Sequence, residues 1–452
     1  MDKITQDIAD FAASLRWEDI PEESRRIATE HILDSLGCAI RAEDADGAAI
    51  ARSFAAEQTS GAFRGRLIGT DRIVAADMAS FINGTAIRYL DYSDTVIPGG
   101  HPSDMLAPLL SIGAVRGSSG QELITAMVVA YEVFARLGES AYIRKQGYDQ
   151  GLTAAIGASA GLSRLRGLSV EQTANAVALS AVAAVSLRAT RGGKLSRWKG
   201  SSTAEGVREA VFLTEMAAGG MDGPERPFDG RHGIFEVVTH KPFELQPFPT
   251  AGGPFLTPRA SLKYWPVEFN TQIAVWAAKK LREQSPLDEI TGIELGIYWS
   301  AWSETGSEPE KWDPQTRETA DHSLPYIFAR SLVDDGISIE SFDRDKYLDP
   351  GIRPVMAKIT VVEDDEANAK FPAAVAMRTT ATLASGEVIS DFMQNAPGHS
   401  DNRMTADQVA AKFRSLVEPS RGPEAAQAAL DFWSDLAARP SILPGLELLD
   451  RR

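Results

Sequence analysis

At 452 residues the chain is longer than one hydrophobic core usually serves, so two domains are expected. Its 44% apolar and 24% charged residues are those of an ordinary globular protein. With 62 acidic against 46 basic residues and a net charge of −16, nucleic acid and anionic membrane surfaces are poor partners.

The opening Met1-Asp2-Lys3-Ile4-Thr5-Gln6-Asp7 has acids and no long apolar run, unlike a signal peptide, and points to the cytoplasm. Pro21-Glu22-Glu23-Ser24 opens a helix with proline and acids in its first turn, and Ile27, Ile32, Leu33 and Leu36 face the core. Cys38, the single cysteine, follows in the same apolar stretch and reads as a buried structural thiol. Ala79, Phe81, Ile82, Ala86, Ile87 and Leu90 recur at helical spacing. Pro98, Gly99 and Gly100 then stop regular structure, so Asp91 and Asp94 leave a helix end and His101 lies in a loop. Gln121 to Leu137 is predicted as another helix, and Ser169-Val170-Glu171-Gln172 opens an Ala-rich one suited to close packing. Ala174 to Leu187, the least polar segment, is too short to span a bilayer. Ala204 to Ala218 is helical and ends at Gly219-Gly220.

After about residue 285 the period changes to two. Ile293, Leu295, Ile297 and Trp299 alternate as a strand, Ile359 to Val362 form a second, and Val375–Leu383 with Glu387–Phe392 read as a hairpin about Ser385-Gly386. From Thr405 the pattern is helical again, through Val409, Phe413, Leu416, Leu430, Phe432 and Leu436. The predicted fold is mainly α: an all-helical domain from residues 1–262 and 396–452, with an inserted α+β lid at 263–395.

Chemistry concentrates in three places. Asp91, Thr95 and His101 bring a carboxylate, a hydroxyl and an imidazole within eleven residues, enough for a general base, a donor and a general acid. Arg188, Arg191, Lys194, Arg197 and Lys199 follow one another with no acid between them, a pattern suited to gripping carboxylates. Lys199 beside Trp198 and Lys263 beside Tyr264-Trp265 can both be desolvated by aromatic walls. One cysteine cannot build a thiolate zinc site or an iron–sulfur cluster, and no dinucleotide fingerprint is present. Asp91, Asp94 and His101 could take a divalent ion in principle, but no metal and no cofactor is expected. Acid/base chemistry on a carboxylate substrate remains.

Further landmarks occur in order: Leu33-Asp34-Ser35-Leu36-Gly37, Asp91-Tyr92-Ser93-Asp94-Thr95, His101-Pro102-Ser103, Leu195 to Gly200, Lys263-Tyr264-Trp265-Pro266, Asp321 to Tyr326, Met356 to Val361 and Pro397-Gly398-His399. With these the chain resembles the MmgE/PrpD family of 2-methylcitrate dehydratases, cis-aconitate decarboxylase and iminodisuccinate epimerases. The resemblance implies a homodimer, with the active site between a helical domain and a lid. It carries catalytic roles onto Asp91, Thr95, His101, Lys199, Lys263 and Tyr326. Asp91 and His101 would divide base and acid roles, and the lysines would hold carboxylates and stabilise enolate-like charge. Arg191, Arg197, Ser103, Gln150 and Glu268 are expected to contact substrate. Asp149 and Glu268 stand where decarboxylase-like members carry imidazoles, which favours dehydration. The resulting expectation is a hydro-lyase acting on a hydroxy-tricarboxylate of the 2-methylcitrate type, with an isomerase, a decarboxylase or a silent scaffold as alternatives.

Overall fold

A computed structural model describes residues 1–451. Among these residues there are 21 α-helices and only short sheets, so the fold is mainly α. The capping residues do what their side chains dictate. Ser169 accepts from Gln172 N to open Val170–Ala183, and Thr405 accepts from Gln408 N to open Ala406–Arg421. Among the described residues no helix is long and apolar enough to cross a membrane.

The first core is built around Gly151–Arg166, which is buried along nearly its whole length between Gly120–Ala141 and Ser202–Ala218. Its small residues permit that depth: a Cβ on Gly161 would stand 2.8 Å from the Ala126 carbonyl. The C-terminal Ala406–Arg421 returns to this core and packs on Glu22–Arg41. Its buried Val409, Phe413, Leu416 and Val417 each contribute about 1.5–3 kcal/mol of burial. Cys38 is fully buried, and burial pushes its thiol up, which suits an inert core residue.

A second core draws on residues from Val267 to Ala396. It centres on a four-stranded sheet in the order Ile359–Glu363, Ile290–Ile297, Ala376–Leu383, Val388–Gln394. The first pair is parallel and the others antiparallel. Gln272–Gln284 packs on Leu324–Asp334 and on the last two strands of this sheet.

Two expectations need correction. Trp299 is not in the strand, which ends at Ile297; it opens the helix Trp299–Thr305. The stretch 1–262, expected to be all-helical, also contains the antiparallel pair Arg64–Arg66 and Ile73–Ala75, and within it Asp94–Thr95 pairs with Ser261–Leu262. Strands of two or three residues carry too few side chains to show a period.

Candidate active site

Ala76–Tyr89 ends at Leu90, and Asp91 turns the chain with φ 49°. That left-handed conformation, uncommon outside glycine, points the carboxylate into the protein, where it is completely buried. Pairing of Asp94 and Thr95 with Leu262 and Ser261 brings Lys263 alongside. Lys263 Nζ lies 2.5 Å from Asp91 Oδ1 and donates to the Asp91 carbonyl at 2.9 Å. Lys199, from the 3₁₀ turn Arg197–Gly200 before the next helix, lies 3.1 Å from Asp91 Oδ2, and Arg88 pairs with Oδ1. Burial pushes the Asp91 carboxyl up, but Arg88, Lys199, Lys263 and His322 override it and hold the pKa well below the usual carboxylate range. Burial lowers Lys263 to about 8. A buried cluster of this kind is weak evidence for stability and better evidence for a site.

Asp94 is buried beside this cluster. Tyr131 OH donates to it at 2.6 Å, His31 Nδ1 at 2.9 Å and Ser103 N at 2.9 Å. Burial works against the Asp94 anion, but these bonds keep its pKa below normal. The Asp94 carbonyl accepts from His101 Nδ1 at 2.6 Å. A carbonyl can only accept, so Nδ1 carries the proton and Nε2 keeps its lone pair. Burial, then Arg88 and Lys263, hold His101 well below the ordinary imidazole range, hence neutral. Gly100, at φ 143°, makes room for this arrangement: a Cβ there would meet Gln150 Oε1 at 1.7 Å, and that oxygen accepts from His101 N. Thr95 Oγ1 donates to the Gly100 carbonyl at 3.1 Å and ties down the same loop.

His101 opens on a cavity of about 360 Å³ whose walls come from both cores. Arg88, Thr95, Arg144, Gln150, Arg188 and Arg191 line it from the first core's side; Glu268, Asn270, Trp299, Glu304 and His322 line it from the second. His322 Nδ1 is 2.6 Å from Asp321 Oδ1, and burial with Lys199 lowers the imidazole to about 4, so it too is neutral. Burial and the neighbouring Glu304 charge raise Glu268 to about 8, so it carries a proton at neutral pH. Its oxygens accept from Asn270 N and Nδ2 at 2.7 and 2.9 Å.

Of the residues singled out from the sequence, Thr95, His101, Gln150, Arg191 and Glu268 line the cavity. Asp91, Lys199 and Lys263 do not line it; they reach it through Arg88 and His322, which do. Ser103 is buried, with its Oγ donating to Ser93 Oγ. Arg197 is exposed and pairs with Asp46. Tyr326 is turned into the second core, where its OH donates to the Ser341 carbonyl at 2.5 Å. Ser323 caps the helix that starts at Leu324, which sets Tyr326 in its first turn against Phe342. Arg144, Glu304 and the wall position of His322 had no local signal, because each acquires its meaning from a partner far away in sequence. Lys412 is a further residue missed. It pairs with buried Asp34 at 2.6 Å and donates to the carbonyls of Tyr92 and Lys263, joining the two segments that carry Asp91 and Lys263.

The set Asp91, Asp94 and His101 does not form a ligand group, since Asp94 is used by Tyr131, His31 and Ser103. Asp91, Asp321 and His322 each bring one ligand atom within 4.8 Å of the others. A cation there would have to displace ammonium groups already seated on both carboxylates.

Two family models match this architecture, the MmgE/PrpD N-terminal domain over residues 6–246 and the MmgE/PrpD C-terminal domain over residues 265–436, and the chain belongs to the MmgE/PrpD family. Among its relatives, the 2-methylcitrate dehydratase of Cupriavidus necator is 26% identical over 480 aligned positions, covering 99% of this chain and 96% of the relative. The 2-methylcitrate dehydratase of Escherichia coli (strain K12) is 25% identical, covering 89% and 87%. The cis-aconitate decarboxylase of Mus musculus is 23% identical, covering 91% and 86%.

Proposed function

We propose that the cavity dehydrates a small hydroxylated polycarboxylate of the 2-methylcitrate type, without a metal or cofactor, by general acid/base catalysis. One observation carries this reading: His101, whose Nδ1 is tied to the Asp94 carbonyl so that Nε2 keeps its lone pair, and Glu268, whose carboxyl burial pushes up toward the protonated form, line the same arginine-lined cavity, one from each core's side. Elimination of water needs that pair, one group to take a proton and one to give a proton to the departing hydroxyl. His101 Nε2 takes the proton α to a carboxylate. Glu268 protonates the leaving oxygen. Arg144 and Arg188 hold a substrate carboxylate, with Arg191 adding positive charge beside them, and the substrate's own charge raises the basicity of His101 as it enters. Arg88, which lines the cavity and is held on Asp91 with Lys199 and Lys263 behind it, faces the enolate-like charge that develops. In this reading Asp91 is not the base; it holds Lys199, Lys263 and Arg88 in place. The names of the relatives from Cupriavidus necator and Escherichia coli agree with this class of reaction.

A second reading, an isomerase, is favoured by the same placement of Glu268: on the second core's side of the cavity, it gives its proton back to the carbanion instead of to the departing hydroxyl. We further read the unit built on the second core as a lid, and the working molecule as a cytoplasmic homodimer.

Replacing His101 by Asn or Glu268 by Gln tests the reading directly. Each is expected to lower kcat roughly 100-fold with a much smaller change in KM, the scale of losing a positioned base or acid. Variants within threefold of the parent would refute the pairing.

A further inference from the structure

The cavity is only partly ready for an anion, because its arginines already hold carboxylates of this chain. Arg191 is bound by both oxygens of Asp149 at 3.0–3.3 Å, and Asp149 also accepts from Ser202 Oγ at 3.3 Å. That pair is multiply tied, with the Asp149 end buried. Glu304 differs. It reaches across from the helix Trp299–Thr305 to pair with Arg188, and its Oε1 lies 3.8 Å from Arg144. Among the described residues its carboxylate accepts no hydrogen bond except the one from Arg188. It is partly exposed and lines the cavity together with both arginines. Arg144 keeps another bond of its own, to the Gly99 carbonyl at 2.9 Å. One carboxylate against two guanidinium groups leaves a surplus positive charge, so another carboxylate exchanges with it at little electrostatic cost.

We propose that Glu304 is a built-in stand-in for a substrate carboxylate: it occupies the Arg188–Arg144 seat while the cavity is free and is displaced when substrate enters. The residue thereby sets affinity, because every ligand that uses this seat competes with it. It also sets specificity, because a ligand gains the seat only with a carboxylate placed to reach both arginines. The proposal rests on the polycarboxylate reading of the cavity and adds the residue that governs entry.

Calorimetric binding of propane-1,2,3-tricarboxylate, which has no hydroxyl to lose, separates occupancy from turnover. Glu304→Gln should bind it about tenfold more tightly than the parent protein, the neutral amide no longer competing for the guanidinium groups. Arg188→Gln should bind it more weakly, and in that background Glu304→Gln should gain less than threefold, since the seat is already lost. Equal or weaker binding of the tricarboxylate by Glu304→Gln, with the parent binding normally, would overturn the stand-in role alone. No binding by parent and variant alike would overturn the polycarboxylate reading and the proposal with it.

Discussion

His101 and Glu268 are the two residues whose protonation the mechanism needs in opposite states, so they set its pH dependence. Glu268 must keep its proton, and its raised pKa of about 8 places the loss of activity above that value. His101 must be neutral, and its lowered pKa places the acid limb well below the ordinary imidazole range. A profile of kcat/KM against pH should therefore be flat around neutrality and fall on the alkaline side near 8. Glu268→Gln should remove that alkaline limb along with most of the activity; a limb surviving unchanged would assign it to Lys263 instead. At this scale the sequence was informative where chemistry is packed locally: Asp91, Thr95 and His101 sit together because one helix end and one loop carry them. Tyr326 shows the limit, since a motif names a residue but not the direction of its side chain. Glu304 and Arg144 were illegible for a different reason. Each is an ordinary surface-type charge until folding brings together two residues 160 positions apart.

At the scale of elements, helix ends marked by a cap could be read, and the shortest strands could not. Ser169 with Gln172 and Thr405 with Gln408 announce their helices because capping is local chemistry. The Asp94–Thr95 strand, which positions Lys263, is two residues long and gains its identity only from Ser261–Leu262. One helix contact has a direct functional test. Gly138, inside Gly120–Ala141, lies under the cavity loop, where a Cβ would stand 2.6 Å from the Pro98 carbonyl and 2.8 Å from Gly99 Cα. Alanine favours helix over glycine by about 1 kcal/mol, so Gly138→Ala should not unravel the helix. It should push the loop that carries His101 and lower kcat/KM tenfold or more, while far-UV circular dichroism stays unchanged. Parent-like kinetics would show that the loop position does not control the chemistry.

At the scale of the whole molecule, the two cores were visible in the change of period near residue 285 and its reversal at Thr405. The sequence did not show that Lys412 on the returning helix clamps the Asp91 and Lys263 segments, because the clamp uses backbone carbonyls. The exposed side chains Val182, Val185, Leu187 and Trp198 are larger and more apolar than a solvated surface needs, and we expect them at the interface of the proposed homodimer. Light scattering at micromolar concentration should give twice the chain mass; a monomer would remove that assignment.

Proton exchange tests the central claim most directly. Exhaustively chelated protein in deuterated water would be given 2-methylcitrate, citrate and smaller hydroxy-diacids, and followed by proton NMR. The account predicts loss of the hydroxyl and appearance of an alkene from at least one hydroxy-polycarboxylate, undiminished by chelation. Deuterium entry at the α-carbon without loss of water would select the isomerase reading. No exchange with any of these acids, or exchange restored only by added iron, zinc or magnesium, would contradict the account.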